Sequence, residues 1–154
     1  MAPSNPSGRA SCRLDADKKN HPPSDTFFAP LLGRCPYYQE ILAQFDCELE
    51  AVRLMRLGAG SVIKEHQDLD LSVEDGVVRL HVPIVTDDDV DFRLNGRAIR
   101  MRAGECWYLR LSDPHSVTNR SMTDRVHLVI DARVNDWLRA LLARAEATFG
   151  ASVS

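Results

Sequence analysis

The sequence predicts a mainly β fold, a sandwich or barrel with a few flanking helices, and three observations carry that expectation. Six short runs rich in Val, Ile and Leu follow one another between residues 52 and 131. Residues that favour turns separate them at short, regular intervals, the spacing of a sandwich or barrel rather than of alternating strands and helices. Two of the runs alternate in the period of two that makes one face of a strand apolar and the other polar.

The elements follow in order. Residues 1–25 are rich in Pro, Ser, Asn, Asp and Lys with almost no large apolar side chains, so they read as a flexible tail ahead of a single domain over 26–154. Pro36 suits a first helical turn, and Tyr37, Ile41 and Phe45 recur every four residues, which predicts a short helix over Pro36–Phe45. The strand runs are Val52–Leu57, Val77–Thr86, Val90–Leu94, Ala98–Arg102, Cys106–Leu111 and Arg125–Asp131. GAG at 58–60, EDG at 74–76, DDD at 87–89, Ala103-Gly104 and SDP at 112–114 punctuate them, and the three aspartates read as a solvated turn. Asn95-Gly96 is the sharpest local signal, because a type I′ hairpin needs positive φ at both central residues. A last helix, Val134–Phe149, places Trp137, Leu138, Leu141 and Leu142 on one side, suited to packing across the outside of a sheet.

Composition narrows the function. A chain of 154 residues with 44% apolar and 27% charged side chains can build one hydrophobic core. The net charge of -3 gives no basic footprint for nucleic acid. No run approaches a membrane span, and the N-terminus has no apolar segment of a secretory leader. Cys12, Cys35, Cys47 and Cys106 are far apart, with no CxxC pair, and read as thiols in a reducing cytoplasm.

The polar residues inside the strands are the functional signal. Val78, Leu80, Val82 and Ile84 share one face of the second run, while Arg79 and His81 fall on the other with Val77, Pro83 and Val85. The final run repeats the design, with Val126, Leu128 and Ile130 opposed to Arg125, His127, Val129 and Asp131. One such strand alone is ordinarily a surface strand. In KEHQDLD, however, His66 and Asp68 stand two apart and point the same way on an extended chain, so both can hold one ion; Asp70 shares that face if the strand continues. A second histidine, His115, follows Asp113-Pro114 about fifty residues on, far enough for strands to wind round a barrel and return. Two imidazoles and one carboxylate with open positions form the site of non-haem Fe(II) oxygenases. Arg125, ten residues past His115, can grip a carboxylate bidentately from inside the barrel. His127 reads as an interior packing or hydrogen-bonding group, and Trp107 and Tyr108 as core and pocket wall, in either order.

With RLMRLGAGSVIKEHQD, RLHVPI, GECWYLRLSDPHSVTNRS and DRVHLVID, the stretch from about Val52 to Trp137 resembles the aspartyl/asparaginyl β-hydroxylase family of 2-oxoglutarate oxygenases. The resemblance implies a double-stranded β-helix, a jelly-roll, cupin-like barrel with its metal at the mouth. It implies His66, Asp68 and His115 as Fe(II) ligands, Arg125 on the distal carboxylate of 2-oxoglutarate, and Arg79 and His81 beside the co-substrate. Asp68 aligns the chain with the bacterial free-standing members, which keep HxD. The implied activity is hydroxylation of an amino acid or an amino-acyl or peptidyl substrate with dioxygen, giving succinate and CO2. A cupin-like metal enzyme that does not use 2-oxoglutarate, and a non-enzymatic binding module on the same fold, are the rival expectations; oligomeric state is open.

Overall fold

The computed structural model describes residues 9–13 and 35–151. In chain order the elements are β1 (Arg9–Arg13), α1 (Pro36–Leu42), β2 (Leu49–Leu57), β3 (Val62–His66), β4 (Val77–Val85), β5 (Val90–Leu94), β6 (Arg97–Ile99), β7 (Glu105–Leu109), β8 (His115–Asn119), β9 (Arg125–Arg133) and α2 (Asp136–Ala151). The strands form two antiparallel sheets, one ordered β1-β7-β4-β9-β2 and the other β3-β8-β5-β6. From β2 onward the chain passes from one sheet to the other at every connection except the β5–β6 hairpin, and β2 pairs with β9. This winding is the double-stranded β-helix, a jelly roll.

The alternation seen in the sequence separates two cores. Val78, Leu80 and Val82 of β4 and Leu128, Ile130 and Ala132 of β9 face outward, where they meet Ile41, Leu42, Phe45 and Leu138 from the α1 and α2 regions. The inner core, between the sheets, is built from Leu57, Phe92, Leu94, Ile99, Trp107, Leu109, Leu111 and Val117. Arg79, His81, Arg125, His127 and Asp131 occupy the opposite phase of β4 and β9 from the outward set, so the polar face of these strands is the barrel interior. Trp107 joins the inner core and Tyr108 packs against the outer one, as neighbours on a strand must.

Asn95 (φ 51°) and Gly96 (φ 73°) make the tight β5–β6 turn, with Leu94 opposite Arg97. Asn135 caps α2: its Oδ1 accepts from the Leu138 N–H at 2.9 Å, and its Nδ2 donates to the Asp46 carbonyl at 2.8 Å. The cap sets the helix start at Asp136 rather than Val134. Phe45 meets Trp137 edge to face at 6.2 Å. Among the described residues no helix is long and apolar enough to cross a membrane.

Three strands lie outside the six expected runs, and the run expected over Ala98–Arg102 is a strand only over Arg97–Ile99. Within the expected tail, Arg9–Arg13 form β1, which extends the larger sheet by pairing with β7 from Arg9↔Leu109 to Arg13↔Glu105. Backbone bonding to an open edge needs no large apolar side chain, and lack of such side chains was the basis of the tail expectation. The other residues of that tail lie outside the described residues. β3 and β8, VIKEH and HSVTN, are too polar to register as apolar runs.

Candidate metal centre

β3 and β8 bring the first two candidate ligands together. Ile63 pairs with Val117, and the next pair is His66 with His115, so β3 carries one extra residue against β8. Plain alternation from the inward Ile63 would turn Glu65 inward and His66 outward. The bulge moves His66 onto the inner face, directly across from His115, a recurrent use of bulges beside functional sites. The rings lie 4.2 Å apart between centroids, and Phe92 stacks parallel to His115 at 6.3 Å.

Asp68 completes the cluster just beyond β3, where its N–H donates to the Leu111 carbonyl at 2.8 Å. Its Oδ1 is 3.6 Å from His66 Nε2 and its Oδ2 is 3.7 Å from His115 Nε2. One ligand atom from each of the three residues lies within 4.8 Å of the others. Asp70 is not in this group: the strand ends at His66, and Asp70 sits exposed with φ 62° in a turn.

The hydrogen bonds behind the rings show that the cluster fits a cation. His66 Nδ1 is 2.8 Å from the Lys64 carbonyl, and His115 Nδ1 is 2.9 Å from the Asp113 carbonyl. A carbonyl only accepts, so each Nδ1 carries a proton and each ring turns its other nitrogen, Nε2, toward Asp68 as the atom available to a metal. Two imidazole Nε2 atoms and a carboxylate oxygen converging on one point are the donor set that a divalent cation takes. His115 is buried at 4% exposure and His66 is exposed, so the cluster opens on one side.

Around Asp68 runs an ionic ladder. Arg79 Nη1 donates to Asp68 Oδ2 at 3.2 Å, and its Nε and Nη2 grip Asp131 bidentately at 2.6 and 2.9 Å. Arg53 Nη2 donates to the same carboxylate at 2.7 Å. The bonds from Asp131 hold the Arg79 guanidinium above its ordinary range. Sequence reasoning placed Asp131 on the inner face but gave it no role and missed Arg53; charge alternation on β2 opposite β9 was the available signal.

Deeper in the barrel the charge balance changes. Arg125 is 3% exposed, and its Nε has no hydrogen-bond partner. Burial, with no carboxylate to offset it, pushes the guanidinium down to about 10. Its neighbour on the inner face of β9, His127, is 1% exposed and lies with Nδ1 3.0 Å from His81 Nδ1. Burial, reinforced by the charges of Arg125, Arg79 and His115, drives His81 down to about 3. His127 is likewise held well below the usual imidazole range by burial, then by Arg125.

A jelly roll with two imidazoles and a carboxylate at its mouth, and a buried cationic wall behind them, defines a cupin-type barrel with a candidate metal centre. The chain belongs to the aspartyl/asparaginyl β-hydroxylase family, whose model matches residues 24–134. Over 119 residues it is 29% identical to the L-proline cis-4-hydroxylase of Rhizobium meliloti (strain 1021), a match covering 76% of this chain and 42% of that protein. The chain thus spans less than half the length of that curated relative. Among solved structures it is similar to a predicted oxalate decarboxylase from Thermotoga maritima, with a TM-score of 0.43, 20% identity, and 56% of this chain and 68% of that one covered. It is also similar to a non-heme monooxygenase, ThoJ, in complex with nickel, with a TM-score of 0.43, 22% identity, and 56% and 44% covered.

Proposed function

We propose that the protein is an Fe(II)- and 2-oxoglutarate-dependent hydroxylase acting on an amino acid or an amino-acyl or peptidyl substrate. The observation that carries the reading is Arg125, a buried guanidinium that no carboxylate of the described residues neutralises. An unpaired buried cation is costly, and such a site is built to be completed by an anionic ligand. A cupin enzyme whose reactants carry no anionic group has no need of it.

In this reading His66, Asp68 and His115 hold the iron through Nε2, a carboxylate oxygen and Nε2. Iron bound there supplies the activation of dioxygen that couples decarboxylation of 2-oxoglutarate to succinate and CO2 with hydroxylation of a C–H bond. The protein's part is positioning. Arg125 binds the far carboxylate of 2-oxoglutarate, and Arg79 and His81 line the space between it and the metal ligands. Asp131 takes two of the donors of Arg79, so that Arg79 contacts Asp68 through Nη1 on Oδ2 alone and leaves Oδ1 to the metal. Residues 26–154 form the oxygenase domain, and the thiols of Cys35 and Cys47 suit a reducing cytoplasm.

The test is a succinate-release assay with Fe(II), 2-oxoglutarate and a panel of amino acids and peptides that includes L-proline, the substrate named for the Rhizobium relative. Succinate formed only with a matching substrate is expected. Metal-loaded protein that binds no 2-oxoglutarate and releases no succinate would favour a cupin-type enzyme of other chemistry or a binding module.

A further inference from the structure

His127 has no role in the function proposed above, yet it is among the most deeply buried polar side chains described. It lies beside Arg125 on β9, and Pro83, two residues past His81, is its register partner on β4. Its ring meets His81 nearly edge to face, at 79° and 5.3 Å between centroids, with the two Nδ1 atoms 3.0 Å apart. One hydrogen bond joins them, and one of the two nitrogens must supply its proton. Burial and the charge of Arg125 keep both rings neutral, so one ring is protonated at Nδ1 and the other at Nε2.

Which ring donates decides what His81 offers. If His81 gave its Nδ1 proton, its Nε2 would be a lone pair. If His127 gives its own, His81 accepts at Nδ1 and carries its proton on Nε2. That Nε2 is a buried atom with no partner among the described residues, as is Arg125 Nε. His81 Nε2 makes no hydrogen bond with the groups around it, which include Arg79, His115 and Phe92. A carboxylate ligand drawn in by Arg125 repels a lone pair and attracts an N–H.

We infer that His127 is a positioning residue: it donates Nδ1–H to His81, fixing the tautomer in which His81 Nε2–H is a neutral donor to the anion that Arg125 binds. The inference rests on the co-substrate reading of Arg125. The arrangement adds a directed donor beside the guanidinium without adding a second positive charge. It also gives the coupled rings a definite state once an anion is present.

The test uses the full chain, labelled with 15N-histidine and loaded with Zn2+ as a diamagnetic stand-in, with 2-oxoglutarate as the probe. The chain has five histidines, few enough to assign by single substitutions. In the complex, long-range 1H–15N spectra are expected to show His81 protonated at Nε2 and His127 at Nδ1. His127→Asn, whose amide N–H can replace the ring Nδ1–H, should keep 2-oxoglutarate affinity within about threefold. His127→Leu should weaken it by about 10- to 100-fold, the loss of one hydrogen bond to a charged group. Thermal unfolding establishes that both variants fold. His81 protonated at Nδ1 in the wild-type complex overturns the inference, which stands on that spectrum even should a variant misfold. So does wild-type affinity in folded His127→Leu, or equal loss in folded His127→Asn. Wild-type protein that binds no 2-oxoglutarate overturns the proposed function and this inference with it, an outcome distinct from intact wild-type binding with unaffected variants.

Discussion

Replacing Arg125 by Met separates a ligand-binding cation from a structural one, because the two roles predict opposite signs for stability. Burial takes the guanidinium from its ordinary value to about 10, so at neutral pH the fold bears the cost of holding the charge. At 1.36 kcal/mol for each pH unit the cost is about 3 kcal/mol. Met keeps much of the apolar stem and has no charge, so the ligand-free variant should gain about 1–3 kcal/mol. For a chain of this size that is roughly 3–9 °C in Tm. Wild-type protein at a hundredfold excess of 2-oxoglutarate over Kd should gain about 2.7 kcal/mol from binding, and the variant essentially none. Affinity itself should fall by about 30- to 5,000-fold, the 2–5 kcal/mol that follows loss of one partner of a buried charge pair. Thermal scans of metal-loaded protein with and without 2-oxoglutarate, with calorimetric titration, measure all three. An Arg125→Met protein less stable than wild type that still gains stability from 2-oxoglutarate would refute the assignment.

Further outcomes follow from the neighbouring groups. His115→Ala should abolish tight binding of Co2+ as followed by its visible spectrum, whereas Asp70→Ala, at an exposed turn, should leave it near wild type; equal losses would mean the ligand set is wrong. Asp131→Asn frees Arg79 to turn fully onto Asp68 and should weaken metal binding by about 10- to 100-fold, and unchanged metal affinity would show that the ladder is only structural. Acid should destabilise chelator-treated protein through its buried histidines. In the folded state His81 stays neutral down to about 3, while the unfolded chain protonates near 6.5, so folding binds fewer protons between those values. Its contribution is complete above about pH 6.5 and is lost on acidification at about 1.4 kcal/mol per pH unit, with His127 adding in the same direction. Urea unfolding from pH 7.5 to 4.5 should show that slope, and the double variant His81→Leu/His127→Leu should flatten it.

What could be read from the sequence, and what could not, divides along a physical line. Burial writes itself into period and composition: Val78, Leu80 and Val82 against Leu128 and Ile130 announced both the strands and the side of the sheet that meets the helices. Asn95-Gly96 announced its turn because few other residue pairs tolerate that backbone. The same logic exposed the inner polar face, since Arg and His in phase on two strands have no reason to be there unless something polar occupies the interior. Strands built for chemistry escape this reading. β3 and β8 carry the candidate ligands on short, polar segments whose place in the sheet is fixed by partners fifty residues away, and β1 is held at an edge by backbone pairing. Counting by twos would even have turned His66 away from the site. HxD spacing picked out two residues that the fold brings together with His115, but the extra residue between Ile63 and His66 aims the imidazole, and a bulge leaves no mark in hydrophobic periodicity. Pairwise polar contacts are similarly silent: nothing in DRVHLVID tells that Asp131 answers two arginines while Arg125 answers none. That asymmetry, one carboxylate shared at the rim and one cation left unpaired inside, is a property of the assembled barrel, and the proposal of an anion in the interior rests on it.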